Sequence, residues 1–307
     1  MDILLSMNNI LILLLLVIVG YAARKTNILP AAAMPILAKL LLYVAVPASI
    51  IMSMQIPITA DLAENAGTIF LLAAIIYAIA IAVGWFLPNI LRAKKEEYGI
   101  MRYSVIFSST LFMGLPVISS IFGEAGRLYA SIFDVLFILL VYTLGVWILL
   151  RKTGRTLKSA LKCLLIPPVF GIVIGLIFFF TSFTIPDPFE SALSFLGGIS
   201  VPLSFFVIGG FLANLKIKNI FSNYRLYITS LVSLLLVPFL FKIIAGCMAI
   251  DSTIMSTLVI LAAMPAAVNV VLLSQEFKLN PEFASQCVFI MAVMSLITLP
   301  IIITLTI

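Results

Sequence analysis

The side chains able to bind or carry something are few in this sequence, and most gather around two prolines. Ser108, Ser109 and Thr110 precede Met113-Gly114-Leu115-Pro116, and Asn269 follows Ala262-Ala263-Met264-Pro265. Proline has no backbone N–H and its ring clashes with the carbonyl four residues back, so each proline is expected to interrupt a helix. Inside a bilayer the freed backbone groups need protein or water as partners. An interrupted helix there presents a half-helix N-terminus, with free N–H groups and a partial positive charge that suits a carboxylate. The hydroxyls of 108–110 and the Asn269 amide would then form a polar ring around a small anion. The competing reading is a pair of packing kinks, with hydroxyls bonded to the backbone and Asn269 joining two helices.

Two charged residues fall inside apolar runs. Asp134 lies about six residues, or about 9 Å, from the nearer end of its run. An acid at the bilayer centre costs about 2.5–3.5 kcal/mol on insertion scales. Protonation removes much of that cost, so Asp134 reads either as a proton-coupling group or as a structural acid bonded to a neighbouring helix. Lys39 lies about a turn and a half into its run. It either snorkels to the interface or serves as a counter-charge to a substrate.

Other chemistries are excluded by what is missing. The chain has no His, which rules out His-based acid–base catalysis, Ser-His-Asp triads and His-containing zinc sites. Cys163, Cys247 and Cys287 are odd in number and far apart, so neither a disulfide framework nor a metal-binding spacing is present. There is no Gly-rich phosphate loop ending in Lys-Ser/Thr. An aspartyl protease in the membrane would need a second facing acid. No enzyme activity, metal or cofactor is expected.

The elements that must position these residues are membrane helices. Of 307 residues 64% are hydrophobic and 10% charged, against about 25% charged in soluble domains. The apolar runs are continuous, unlike the alternating segments of a β-barrel. At roughly 20 residues per span, ten spans are predicted: Asn8–Ala23, Ala33–Met54, Ala66–Leu91, Met101–Phe122, Leu128–Leu150, Ala160–Phe180, Glu190–Ala213, Tyr224–Gly246, Thr253–Leu273 and Glu282–Thr306. Asp2 precedes the first run and Arg24-Lys25 follow it, the reverse of a signal peptide.

Charge orients the spans. With the N-terminus outside, sixteen of the eighteen basic residues fall on inner loops and helix ends, among them Arg92, Lys94, Lys95, Arg151, Lys152, Arg155, Lys158, Lys162, Lys216 and Arg225. Only Arg127 and Lys242 fall outside. This positive-inside asymmetry predicts both termini outside. The net charge of +6 then faces anionic lipid and needs no nucleic-acid partner.

The chain also resembles itself. Gly20 matches Gly175, Val46-Pro47 matches Val201-Pro202 and Ser49 matches Ser204, all at an offset of 155. Two copies of five helices, 1–153 and 154–307, would enter the membrane from opposite sides. Paired breaks in equivalent helices of inverted repeats point to a binding site near the midplane of a secondary transporter. A membrane sensor or channel-like protein is the rival class, although a sensor usually carries a soluble output domain and the short loops here leave no room for one.

An ordered set of motifs resembles the auxin efflux carrier family in its prokaryotic form, which includes malonate and malate permeases. The set is Phe112-Met113-Gly114-Leu115-Pro116, Phe122-Gly123-Glu124, Ile132-Phe133-Asp134 and Thr143-Leu144-Gly145, then Pro167-Pro168 with Gly171, Val201-Pro202-Leu203-Ser204, Ile208-Gly209-Gly210, Met264-Pro265 and Leu299-Pro300. The resemblance implies an all-α polytopic protein with the bile acid symporter-like fold, in which helices 4 and 9 are broken and cross at their prolines. It implies a scaffold of helices 1, 2, 6 and 7 that forms a homodimer. Helices 3–5 and 8–10 would form a transport domain that moves like an elevator in the cytoplasmic (inner) cell membrane. The cargo would be an organic anion held at the crossover, which by position marks Pro116, Pro265 and Asn269. The neighbouring Ser109, Thr110 and Gly114 complete the candidate site, and both proton coupling through Asp134 and uniport driven by the membrane potential fit. One position departs from the family: an Asn is usual seven residues before the helix-4 proline, and here it is Ser109.

Overall fold

The computed structural model describes residues 2–55, 60–151, 166–216, 218, 221–248 and 250–306. Lys152, Arg155, Lys158, Lys162, Cys163, the start of the sixth expected span (160–165) and the expected boundary between repeats lie outside the described residues.

The described residues form helices joined by turns and short loops, with one isolated backbone bridge discussed below. In chain order the helices are α1 (Asp2–Lys25), α2 (Ala33–Leu40), α3 (Val46–Ser53), α4 (Ala60–Ile90), α5 (Tyr98–Ile106), α6 (Leu115–Leu140) and α7 (Val146–Leu150). Then follow α8 (Pro167–Thr181), α9 (Phe189–Gly198), α10 (Ser200–Leu212), α11 (Tyr224–Leu231), α12 (Val237–Ala245), α13 (Ser252–Ala262), α14 (Asn269–Glu276) and α15 (Pro281–Thr306). Among the described residues, six stretches are long and apolar enough to cross a bilayer: Ala33–Ser53, Asn65–Ile90, Leu115–Leu150, Phe189–Leu212, Tyr224–Ala245 and Pro281–Thr306. Pro167–Thr181 and Ser252–Ala262 are shorter apolar helices.

The 36-residue stretch Leu115–Leu150 would measure about 54 Å as one straight helix, far more than a hydrocarbon core of about 30 Å. Gly123 divides it. Its φ of 61° and ψ of −143° turn the chain inside α6, in a conformation that glycine alone adopts without strain.

Several helices are joined end to end through a widened π-turn. Three of these turns stand immediately before a proline: Leu41–Ala45 before Pro47, Thr110–Gly114 before Pro116, and Val232–Leu236 before Pro238. The physical cause is shared. The ring of each proline displaces the carbonyl one turn back, and a wider turn absorbs the displacement without ending the helix.

Packing separates the helices into two groups. In the first, α1 crosses α10, while α8 and α9 pack on α3. Glycines set these crossings. A Cβ on Gly20 would overlap the carbonyl of Phe206, and one on Gly209 the carbonyl of Val17. A Cβ on Gly171 would come within 3.1 Å of the backbone of Pro47, and one on Gly197 within 3.0 Å of that of Ser49. Backbones this close gain dispersion contacts that lipid cannot supply, which is how membrane helices associate without a hydrophobic driving force. In the second group α4 packs on α5, α6 and α12, and α13 packs on α6. The long helix α15 touches both groups through α1, α10, α11 and α14. Large apolar side chains on the outer faces, such as Leu15, Ile18, Phe180 and Phe195, are exposed, as a lipid-facing surface requires.

Candidate functional site

The two broken helices meet in the second group. α5 ends at Ile106 and the chain becomes extended at Phe107 (φ −112°, ψ 97°). α13 ends at Ala262, and helix resumes only at Asn269. Between them Ser108 and Ala266 form an antiparallel bridge. Ser109 N donates to Pro265 O at 2.6 Å, and Ala267 N donates to Phe107 O at 2.9 Å. Each break therefore satisfies backbone groups of the other, which is what makes non-helical backbone tolerable at membrane depth. Pro265 has no N–H to lose, so it suits a position that only accepts.

This corrects one expectation. The fourth helix does not break at Met113–Pro116 but at Phe107–Ser109. Pro116 stands in the first turn of α6, where its missing N–H is harmless, and it is exposed. Gly114 is buried, and a Cβ there would meet Leu261 Cδ2 at 2.6 Å; it admits the opposite broken helix. Pro265 is buried at the bridge. These three residues shape the crossing and do not line the cleft beside it.

That cleft is formed by four elements. Val46, Ser49 and Ile50 come from α3, Ser109 and Leu111 from the first break, Phe137, Ile138 and Tyr142 from the α6–α7 segment, and Ala267 and Asn269 from the second break. Its free interior is about 10 Å3, roughly the room of one water. Three buried polar atoms in its wall have no hydrogen-bond partner: Ser109 Oγ, Tyr142 Oη and Asn269 Oδ1. Their residues are 2%, 1% and 6% exposed. Each such atom forgoes about 1–3 kcal/mol, so three around one cleft mark a place built for a polar guest. Among the described residues no Lys, Arg, Asp or Glu lines it. Lys39 is exposed, with its ammonium 5.4 Å from the centre of the Tyr43 ring; this is the snorkelling arrangement, away from the cleft.

Thr110 and Asp134 form a second compartment behind the first. Thr110 Oγ1 donates to Asp134 Oδ1, and Asp134 Oδ2 has no partner. Both residues are buried. Tyr77 covers this side, stacked on Phe133 at 5.6 Å and tilted on Phe107 at 6.0 Å. The two compartments are coupled by covalent geometry. Thr110 follows Ser109 in the chain, and Phe137 and Ile138 lie one helical turn beyond Asp134 on the same face.

Tyr142 and Ser49 belong to this cleft although sequence reasoning did not place them there. A signal existed for each. Tyr142 lies eight residues, or two turns, after Asp134, and Ser49 follows the proline that matches Pro202 in the internal repeat. Among the described residues no three of Cys, Asp and Glu gather as a metal site would require.

A helical membrane bundle with two mutually bridged breaks beside a neutral polar cleft is the build of a carrier, and the whole-chain comparison agrees. Residues 5–303 match the family described as membrane transport protein. The chain belongs to this auxin efflux carrier-like transporter family. The transporter is also similar to an uncharacterized transporter of Methanocaldococcus jannaschii, with 25% identity over 95% of this chain and 96% of the relative. A second uncharacterized transporter, from Methanothermobacter thermautotrophicus, is 26% identical over 96% of this chain and 97% of its own. The family resemblance read from the motifs thus holds over nearly the full length of the transporter.

Proposed function

We propose that this transporter is a secondary-active carrier of a small organic anion, a mono- or dicarboxylate such as malonate or malate or an auxin-like acid. The observation that carries the proposal is the trio of unpartnered polar atoms, Ser109 Oγ, Tyr142 Oη and Asn269 Oδ1, around one cleft. The two hydroxyls can donate to a carboxylate, while Asn269 Oδ1 accepts from a hydroxyl, a ring N–H or a protonated carboxyl of the substrate. The helix that begins at Asn269 adds a partial positive charge without a fixed cation. A site without a fixed cation binds a carboxylate loosely enough to release it, as a carrier must.

The proposed architecture is ten spans in two inverted repeats of five, 1–153 and 154–307, in the inner cell membrane with both termini outside. The glycine-seamed helices are the scaffold, and its outer face is where a second copy would dimerise. The crossover helices are the mobile part. Support for movement comes from the cleft's size: with room for about one water, no carboxylate enters until α3 and the crossover part. An open pore does not fit such a constriction, which favours alternating access of the elevator type over a channel or a sensor. Asp134, buried and bonded only through Oδ1, is the proposed proton-coupling group.

Proteoliposomes loaded with the purified protein test this. Concentration jumps of malonate, malate, lactate and indole acetate at two pH values should give a saturable current or tracer flux for one acid, absent from protein-free liposomes. Silence in both assays for every acid would refute the carrier reading.

A further inference from the structure

The two tryptophans of the chain, Trp85 and Trp147, stand together at the ends of α4 and α7, their rings stacked 6.0 Å apart and 14° from parallel. Two guanidinium groups lie on them. Arg102 is 4.1 Å from the centre of the Trp85 ring, and Arg151 is 4.6 Å from Trp85 and 5.1 Å from Trp147. Arg102 Nε and Nη2 donate to Trp85 O at 3.2 and 3.0 Å. Two like charges are thus held on one ring, and neither has a carboxylate partner among the described residues. The acids at this end are engaged elsewhere: Glu97 pairs with Arg225 at 3.7 Å and accepts from Lys94 N, and Glu96 borders a separate cleft with Lys95 and Lys278. The sequence from 152 to 186 contains no Asp or Glu that could fold back to neutralise them.

We infer that Arg102 and Arg151, braced on Trp85 and Trp147, form a binding site for the phosphate of an anionic phospholipid. Arg151 is exposed and keeps its fork for phosphate oxygens while its face rests on the indoles; Arg102, buried and with Nε and Nη2 committed to Trp85 O, adds its charge from behind. The source of the phosphate is membrane lipid because the surroundings are apolar and open outward. Phe86 and Ile90, beside Trp85 on α4, are 61% and 73% exposed, and Trp147 is 37% exposed; these surfaces suit acyl chains and the headgroup boundary, where tryptophan concentrates. Trp85, Arg102 and Arg151 come from three helices of the crossover group, so a bound lipid would staple that group together at its basic end.

The protein carries its own reporter, because every tryptophan in the chain is in the site. The full-length protein in nanodiscs should show fluorescence quenching by brominated phosphatidylglycerol at a several-fold lower mole fraction than by brominated phosphatidylcholine. Arg151→Gln should reduce that preference about fivefold, the factor equivalent to about 1 kcal/mol per basic residue near an anionic surface. Arg127→Gln, which removes an exposed basic residue outside the site, should keep the preference, which shows that the loss in Arg151→Gln is local. Millimolar inorganic phosphate should leave the quenching unchanged. Equal quenching by the two lipids, an undiminished preference in Arg151→Gln, or loss of the preference on adding inorganic phosphate would each overturn the assignment.

Discussion

The glycine-seamed helices and the crossover helices are both apolar, yet they are held together differently: close backbone contacts dominate the first, whereas in the second one such contact, Gly99 against Ile148 and Leu149, stands beside interrupted helices. In the first group backbones touch backbones: Gly20 against Phe206, Gly209 against Val17, Gly171 against Pro47. In the second, helices are interrupted and polar groups sit between them. Among the described residues, nine of the fifteen buried side-chain polar atoms without a partner belong to the crossover group; Ser285 and Thr298 lie on α15, which touches both groups, and the others are on Arg24, Gln55, Ser200 and Ser204. A seam of touching backbones has one good arrangement, because any shift opens a void. A crossing that leaves polar groups unpaired has less to lose by moving and something to gain from a guest. The proposed division into a fixed scaffold and a mobile part would rest on this difference.

Substitutions can break that contrast, and the largest effect belongs to the seam. Gly209→Leu drives a side chain into the backbone of Val17 and should destabilise by about 3 kcal/mol or more. The readout is loss of monodisperse protein or a steep fall in Tm. A tolerated Gly209→Leu would mean the first group is no more rigid than the second. Asn269→Ala should leave Tm near wild type and weaken substrate affinity about tenfold, a value inside the range for one buried hydrogen-bonding group; unchanged affinity in the flux assay removes Asn269 from the site.

Asp134→Asn is nearly isosteric and should fold. Flux through it should no longer change between two pH values at which the wild type differs, since the group proposed to gain and lose the proton is gone. Retained proton coupling would make Asp134 structural. The smallest effect is also the sharpest test of the contrast. Tyr142→Phe deletes a hydroxyl that has no partner in the empty protein, so Tm should rise slightly, by the equivalent of up to about 1 kcal/mol, while affinity falls. A fall in Tm would show that this hydroxyl is satisfied in the resting protein.

Much of this was legible in the sequence because membranes impose simple rules. Long apolar runs must be helices, and the prolines pointed to Ser109 and Asn269, which the structure brings to one cleft. Thr110 and Asp134, singled out separately, turn out to be bonded to each other. Pro116 was harder to read because proline acts backwards along the chain: it widens Thr110–Gly114 and leaves its own position an ordinary helix start. The break at Phe107-Ser108-Ser109 carries no breaker of its own. It exists because Ala266 and Ala267 lie alongside, a contact between residues far apart in sequence that no local pattern announces. Ser49 and Tyr142 carried only a repeat match and a two-turn spacing from Asp134, and it is the packing of α3 against the crossing that makes them neighbours.

The bridge between the two breaks also sets a schedule for making the protein. Phe107 O and Ser109 N find their partners on Ala267 and Pro265, about 160 residues later in the chain. At about 5–20 residues per second, a ribosome takes roughly 8–30 s to deliver them. During that interval the first break sits in or beside the membrane with its backbone groups unmatched, so the insertion machinery or a lipid-shielded water must hold it. The amino-terminal half synthesised alone never receives those partners. It should accumulate poorly, and supplying the carboxy-terminal half as a separate chain should rescue it.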